Sequence, residues 1–335
     1  MSDINNEVIK SAAGQDTAPA APAEQPHKAV SRKDMTKWQW TWKEMKNNWV
    51  AYLMILPYLF IFILFTVFPV LLSMIFSFTD FNMLEWPNWV GISNYVSLFF
   101  DDDIFIIACK NTLIFSGIVG PSSYILAILV AWFINELSPK IRSVVTLIFY
   151  APSIANSAYL IFKTAIFSSD SYGLFNSMLM KLGIIVSPVP WFEYEEAIMP
   201  LVIIVALWTS LGTSFLSNIA GLQGIDKSYY EAGAVDGVRN RWQELWFITL
   251  PSMKGQLMFS AIMSITGAFG FGDVVTQLCG FPSVNYCAHT IIHHLQDYGS
   301  QRYEMGYSSA IAVVLFLIMI GANMLVAKLL SKVGQ

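Results

Sequence analysis

Six stretches of this chain are apolar for long enough to cross a bilayer, separated by one short polar link at 135–143 and four longer polar stretches. A helix rising 1.5 Å per residue needs about 20 residues to span roughly 30 Å of hydrocarbon. Residues 50–78, 104–134, 144–166, 197–220, 256–278 and 307–330 all reach that length. Pro57, Pro69, Pro121, Pro152 and Pro200 lie in or at the ends of these runs. Membrane helices tolerate proline when neighbours satisfy the freed carbonyls, so kinks are expected there. The pattern predicts an all-helical integral membrane protein with six spans.

Residues 1–37 carry no apolar period and are rich in Ala, Pro and Gln, which predicts a disordered tail. Residues 38–49 interleave Trp38, Trp40, Trp42 and Trp49 with Lys43 and Lys46, as expected of a segment lying at the membrane surface. The remainder, 50–335, then forms one membrane domain. The first apolar run is far longer than a signal-peptide core, so it is read as a span.

Composition agrees with this: 55% of the 335 residues are hydrophobic and 13% charged. The net charge of -4 matters less than its distribution. Segments 1–49, 135–143, 221–255 and 328–335 hold 15 of the 19 Lys and Arg residues. The positive-inside rule places these segments and both termini in the cytoplasm. Asp101, Asp102 and Asp103 and the loops 167–196 and 280–305 then face outward. Cys109, Cys279 and Cys287 form no disulfide framework or zinc spacing, although Cys279 and Cys287 share a loop and could pair.

Between the fourth and fifth runs lies a polar, helix-capable insert, 228–251, SYYEAGAVDGVRNRWQELWFITLP. Ser228 and Glu231 have capping-box spacing, Gly237 interrupts, and Asn240 with Gln243 repeats the cap. Trp242, Leu245 and Trp246 fall on one helical face. Two short helices about a glycine hinge are predicted. Glu231-Ala232-Gly233 followed by Gly237 and Ile248-Thr249-Leu250-Pro251 resembles the EAA loop of binding-protein-dependent ABC importer permeases, nearest to the sugar permeases. The sequence departs from that motif in having Gly233 at its third position, where Ala is usual, and in placing ten residues between Gly237 and Ile248, one more than usual. Phe269-Gly270-Phe271-Gly272-Asp273, Gly280-Phe281-Pro282, Gly306-Tyr307-Ser308-Ser309-Ala310, Ser77-Phe78-Thr79-Asp80 and the stretch 89–95 are similar to further motifs of the same family.

The resemblance implies a type I ABC importer permease fold in a bacterial cell membrane, with 221–251 as a cytoplasmic coupling loop whose Tyr230, Glu231, Ala232, Gly233, Asp236 and Gly237 meet an ATPase. It further implies a second, related permease subunit, two ATP-binding subunits, an extracytoplasmic solute-binding protein and surrounding lipid, and no nucleic acid. The chain has no GxxxxGK[ST] pattern, so ATP would be bound by the partner and this chain would carry no cofactor and no catalytic residue of its own. Import of a sugar or oligosaccharide is the expected function. Import of another solute through the same architecture, or a scaffold or sensor without a transport cycle, are the alternatives.

Sugars need hydroxyl partners and aromatic faces. Asn156, Trp208, Phe269 and Asp273 are therefore candidate pathway residues, with Trp208, Phe269 and Asn156 near the midplane by residue counting. Asp273 either accepts sugar hydroxyls or pairs with a cation such as Lys163, or else braces helices near the interface. His289, His293 and His294 lack completing ligands at metal spacing and are read as surface groups of a loop.

Overall fold

The computed structural model describes residues 36–155 and 158–332. The predicted tail, apart from its last two residues, and Asn156 therefore lie outside the described residues. The chain divides into two units, Met1–Val67 and Phe68–Gln335. In the first, Lys37–Asn47 is a helix on which the rings of Trp38 and Trp42 stack at 6.3 Å, and the apolar helix of the first span begins at Trp49.

Among the described residues, five helical stretches are long and apolar enough to cross a membrane: Trp49–Phe76, Asp103–Asn135, Glu195–Gln223, Lys254–Cys279 and Met305–Leu330. Each coincides to within a few residues with a predicted run. The third run differs. Helix Pro139–Ile154 stops where Ala155 turns extended, with φ -83° and ψ 90°, and helical structure resumes as the wide turn Phe162–Ile166. Pro152 removes a backbone donor from the last turn, and the Ser153 hydroxyl bonds back to the Tyr150 carbonyl at 2.8 Å. The fourth and fifth spans are broken too, at Ser210–Gly212 and at Gly270–Phe271.

The second, fourth and fifth spans form the centre of the larger unit. Gly120 lies against Ile265 and Ala268, so the second and fifth helices approach closely. The fourth and fifth are joined by a hydrogen bond from Asn218 Nδ2 to Ser260 Oγ of 3.0 Å, with both residues fully buried. A hydrogen bond between an amide and a hydroxyl inside an apolar bundle fixes helix rotation where leucine packing alone does not. Apolar clusters flank this centre: one around Phe115, Val202 and Leu278 toward the 167–196 loop, another around Trp132, Phe215 and Leu245 at the opposite end.

At the end of the first span the family-like motifs converge. Asn94 Nδ2 donates to the carbonyls of Ser77 and Thr79 at 2.9 and 2.8 Å, and Tyr95 Oη donates to Ser77 Oγ at 2.8 Å. The last helix starts on this knot, with the Gly306 N–H donating to the Phe81 carbonyl at 2.8 Å. A Cβ at position 306 would stand 2.0 Å from the Thr79 carbonyl oxygen. The obstacle is backbone and cannot rotate away. Gly306→Ala is therefore expected to destabilise by at least the 1–3 kcal/mol typical of overpacking, roughly. Thermal unfolding of the detergent-solubilised protein checks this, and an unchanged midpoint would contradict the packing described.

Candidate functional site

The insert between the fourth and fifth spans folds as two short helices, Lys227–Val235 and Arg241–Glu244, the second running on into the wide turn Leu245–Thr249. The first is capped one turn-step earlier than the sequence pattern predicts. Asp226 is the N-cap, and its carboxylate accepts from the Ser228 N–H at 2.9 Å. Asp wins over Ser228 because its β-region backbone already sits outside the helix, and the Ser228 hydrogen bonds hold its carboxyl below the usual range. Glu231 is thereby freed from any capping role and is exposed. The second cap is as predicted: Asn240 Oδ1 accepts from the Gln243 N–H at 2.9 Å, while Gln243 Oε1 reaches back to the Arg239 N–H at 2.9 Å. Gly237, at φ +95°, makes the left-handed turn between the helices.

The base of the insert is fixed and its crown is bare. Leu245 and Thr249 are buried, and Tyr230 Oη lies 3.0 Å from Thr249 Oγ1. Gly233 faces Ile248: a Cβ there would stand 2.5 Å from Ile248 Cδ1. This accounts for glycine at the third motif position, because the isoleucine end occupies the space of an alanine methyl. Ala232, Asp236 and Gly237 are exposed with Glu231. Around them stand Tyr229, Trp246, Val235 at 89% exposure and Phe247 at 71%. Apolar side chains in such density on a loop mark a surface built for another protein.

The described pathway candidates are not brought into one cluster, but Trp208 and Asp273 sit beside helix breaks. Trp208 is partly exposed one turn before the Ser210–Gly212 break, its ring 5.0 Å from Phe162. The third and fourth breaks touch, since a Cβ on Gly212 would lie 3.6 Å from Ser153 Cβ. Asp273 is exposed in the first turn after the fifth-span break. Lys163 donates to the Gln277 carbonyl at 3.3 Å and not to Asp273. Phe269 is 6% exposed, packed with Phe105, Ile265 and Ile311, and its place is in the core. Nearby, two open cavities of about 700 and 880 Å³ both reach Glu193. Lys163, Ser169 and Asp170 line the first, and Lys110, Glu195 and Glu196 the second.

The family model described as "Binding-protein-dependent transport system inner membrane component" matches residues 114–335, which include every element of the insert. The chain belongs to that family. The arabinooligosaccharides transport system permease protein AraP of Bacillus subtilis (strain 168) is 30% identical over 292 residues, covering 86% of this chain and 91% of the relative. The lactose transport system permease protein LacF of Rhizobium radiobacter is 31% identical over 231 residues, 68% and 74% of the two chains. A chain in the crystal structure of a bacterial alginate ABC transporter, in complex with an alginate pentasaccharide-bound periplasmic protein, superposes with a TM-score of 0.68 at 26% identity, covering 87% of this chain and 96% of that one. This permease therefore has the type I ABC importer permease fold.

One feature of the permease contradicts the sequence reading. His289, His293 and His294 are not surface groups but are 3%, 2% and 2% exposed. His293 Nδ1 accepts from the Thr290 N–H at 3.3 Å and lies 2.7 Å from Thr290 Oγ1, and its Nε2 lies 3.1 Å from Thr276 Oγ1. His294 Nε2 sits 2.8 Å from Asp102 Oδ2, which also accepts from Tyr307 at 2.9 Å, while Asp102 Oδ1 caps the second span through the Phe105 N–H. Burial pushes Asp102 up, but the Phe105 N–H, His294 and Tyr307 outweigh it and hold its carboxyl below the usual range. The i, i+4, i+5 spacing beside Thr290 was the available signal, since it puts all three imidazoles near one helix start.

Two expectations follow from this geometry. Gly233→Ala adds about 1 kcal/mol of helix propensity against an overlap that Ile248 relieves by rotating its terminal methyl, so stability should change little. Gly233→Leu should lose roughly 1–3 kcal/mol and open the insert to trypsin at Arg239 and Arg241; equal cleavage rates for the two variants would contradict the Ile248 contact. The histidines supply the second expectation. Burial lowers His289 to about 3 and His293 to about 4, from the ordinary 6.5. The unfolded chain thus binds protons that the folded chain refuses between those limits. Stability should be constant above pH 6.5 and fall as pH drops toward 4, and His293→Gln should flatten that fall in thermal scans across the range.

Proposed function

We propose that this permease forms half of the pathway of an ATP-driven importer for a sugar or oligosaccharide and couples to a separate ATPase through the 221–251 loop. The observation that carries the coupling assignment is the contrast within one insert: a root buried at Leu245 and Thr249 beneath an exposed crown of Tyr229, Glu231, Val235 and Phe247. A loop that served only to connect two spans would not expose that much apolar surface. The basic residues concentrated at 221–255 support a cytoplasmic location, and both termini on the same side. The partners are then a related permease chain, two ATP-binding subunits and an extracytoplasmic binding protein.

The names of the relatives support a carbohydrate as solute. The helix breaks at Ala155, Ser210–Gly212 and Gly270–Phe271 support a route beside Trp208 and Asp273, because irregular backbone inside a membrane is tolerated where it lines a cavity. Asn156 lies next to the first of these breaks in sequence. Phe269 positions the fifth span from behind. The ATPase would drive the alternation, and this chain would bind no nucleotide.

Because Asp226 caps the first helix, Glu231→Gln should leave the loop folded and still lower ATPase stimulation by loaded binding protein about tenfold, equivalent to ~1.4 kcal/mol. Gly237→Pro, which forbids the positive φ, should do the same. Reconstituted complexes in which both variants retain wild-type stimulation would remove the coupling role. Asp226→Asn, which keeps an N-capping side chain, serves as the folding control.

A further inference from the structure

We propose that Arg241 and Trp242 fasten the coupling loop to the inner end of the second span, so that displacement of the loop moves that span as well as the fifth. The proposal rests on the reading that the loop meets an ATPase, and it assigns a route that the connectivity of the chain does not supply. The loop is covalently continuous with the fourth and fifth spans, whereas the second span ends about a hundred residues earlier, at Asn135. Through space they meet. The Arg241 guanidinium pairs with Glu136, the residue that closes the second span, and with Glu244 at 3.2 Å on its own helix. The Trp242 ring lies 5.1 Å from that of Trp132, one turn back along the second span, with the planes at 48°. Three residues on from Trp242, Leu245 joins the same apolar cluster as Ala131, Trp132 and Ile134.

The same elbow also holds the third helix. Arg142 donates to the Asn135 side chain at 3.0 Å and to its carbonyl at 3.3 Å. On the loop side, Tyr230 against Thr249 and Ile248 against Gly233 join the first loop helix to Leu245–Thr249. A force on the exposed helix therefore reaches Trp242 through packed groups before it reaches the second span. The two fasteners differ in kind. The Arg241–Glu136 pair is partly exposed, at 55% and 39%, and solvent screening leaves such a pair weak and reversible. Trp132, 7% exposed, seats one face of Trp242, which is itself 56% exposed, and the tilted ring pair holds orientation as well as contact. The ring pair carries the load and the ion pair sets its register.

Contiguity alone does not establish coupling, so the test measures motion at both ends. In the complex assembled with its ATPase and binding protein, and with Cys109, Cys279 and Cys287 replaced by serine, an environment-sensitive maleimide fluorophore is attached at Leu137→Cys, beside the elbow, or at Arg239→Cys, on the loop. A non-hydrolysable ATP analogue with magnesium is then added. Both positions should respond. Trp242→Ala combined with Arg241→Glu should reduce the response at 137 about fivefold while leaving that at 239. Arg241→Glu alone should reduce the response at 137 by a smaller factor, and adding Glu136→Arg to that single variant should restore it, a rescue that general destabilisation would not give. A response at 137 of wild-type size in the Trp242→Ala, Arg241→Glu variant overturns the fastening, as does a wild-type complex that responds at 239 and not at 137. Silence at 239 in the wild type removes the docking reading itself, and the fastening with it.

Discussion

A backbone inside hydrocarbon has no water to bond, and the structure of this chain follows from where that rule is obeyed and where it is relaxed. Along Asp103–Asn135 it is obeyed for 33 residues, about 50 Å at the helical rise, and this is the helix on which the fourth and fifth spans pack. At Ala155, Ser210–Gly212 and Gly270–Phe271 it is relaxed. Each relaxation has a local cause: Pro152 with Ser153, the Ser210 hydroxyl bonding back to the Leu207 carbonyl at 2.7 Å, and the paired glycines 270 and 272. Polar and aromatic residues that would be expensive against lipid, Trp208 and Asp273 among them, are placed beside these interruptions. The polar chemistry and the irregular backbone thus share one part of the bundle.

Outside the spans, short polar side chains do what a hydrophobic core does in a soluble domain. Asn176, fully buried, donates to the carbonyls of Ser168, Asp170 and Val189 and accepts from the Val189 N–H and the Trp191 indole at 2.9 Å. One amide thereby organises the loop 167–196. Asp102 does the same for three elements, taking the Phe105 N–H, His294 and Tyr307. Buried polar networks of this kind are stable only when nearly every member is satisfied, which makes the ends of the bundle rigid and sensitive to single substitutions.

Five of the spans were legible from the hydrophobic pattern because length and apolarity are all that the bilayer demands of a helix. The break in the third was not, since Pro152 inside an apolar run is equally compatible with a kink or a stop. The two-helix insert was legible from Gly237 and Asn240, but its first cap was misplaced from Asp226 to Ser228, two residues of similar capping strength only two positions apart. Phe269 and Trp208 looked alike in sequence. Only packing separates them, placing one among Phe105, Ile265 and Ile311 and leaving the other partly exposed. The buried histidines were the largest miss: their spacing groups them at one helix start, but the partners that bury that start, Asp102 on His294 and Thr112 on the Ile291 N–H, lie nearly two hundred residues away and leave no local pattern to read.

The insert shows why the two departures from the family motif belong together. Glycine at 233 lets Ile248 enter the space where an alanine methyl would stand, bringing Leu245–Thr249 close beneath the first helix. With the two helices held that close, the link between them must leave the first helix and turn back sharply. Gly237 at φ +95° and the extended Asn240, at φ -137° and ψ 159°, accomplish this over the residues where the chain is longer than usual. The added length lies in the exposed turn and leaves the buried contacts of Tyr230 and Thr249 in place. The proposed coupling role demands an element stiff at its root and free at its face, and the departures satisfy the first demand without compromising the second.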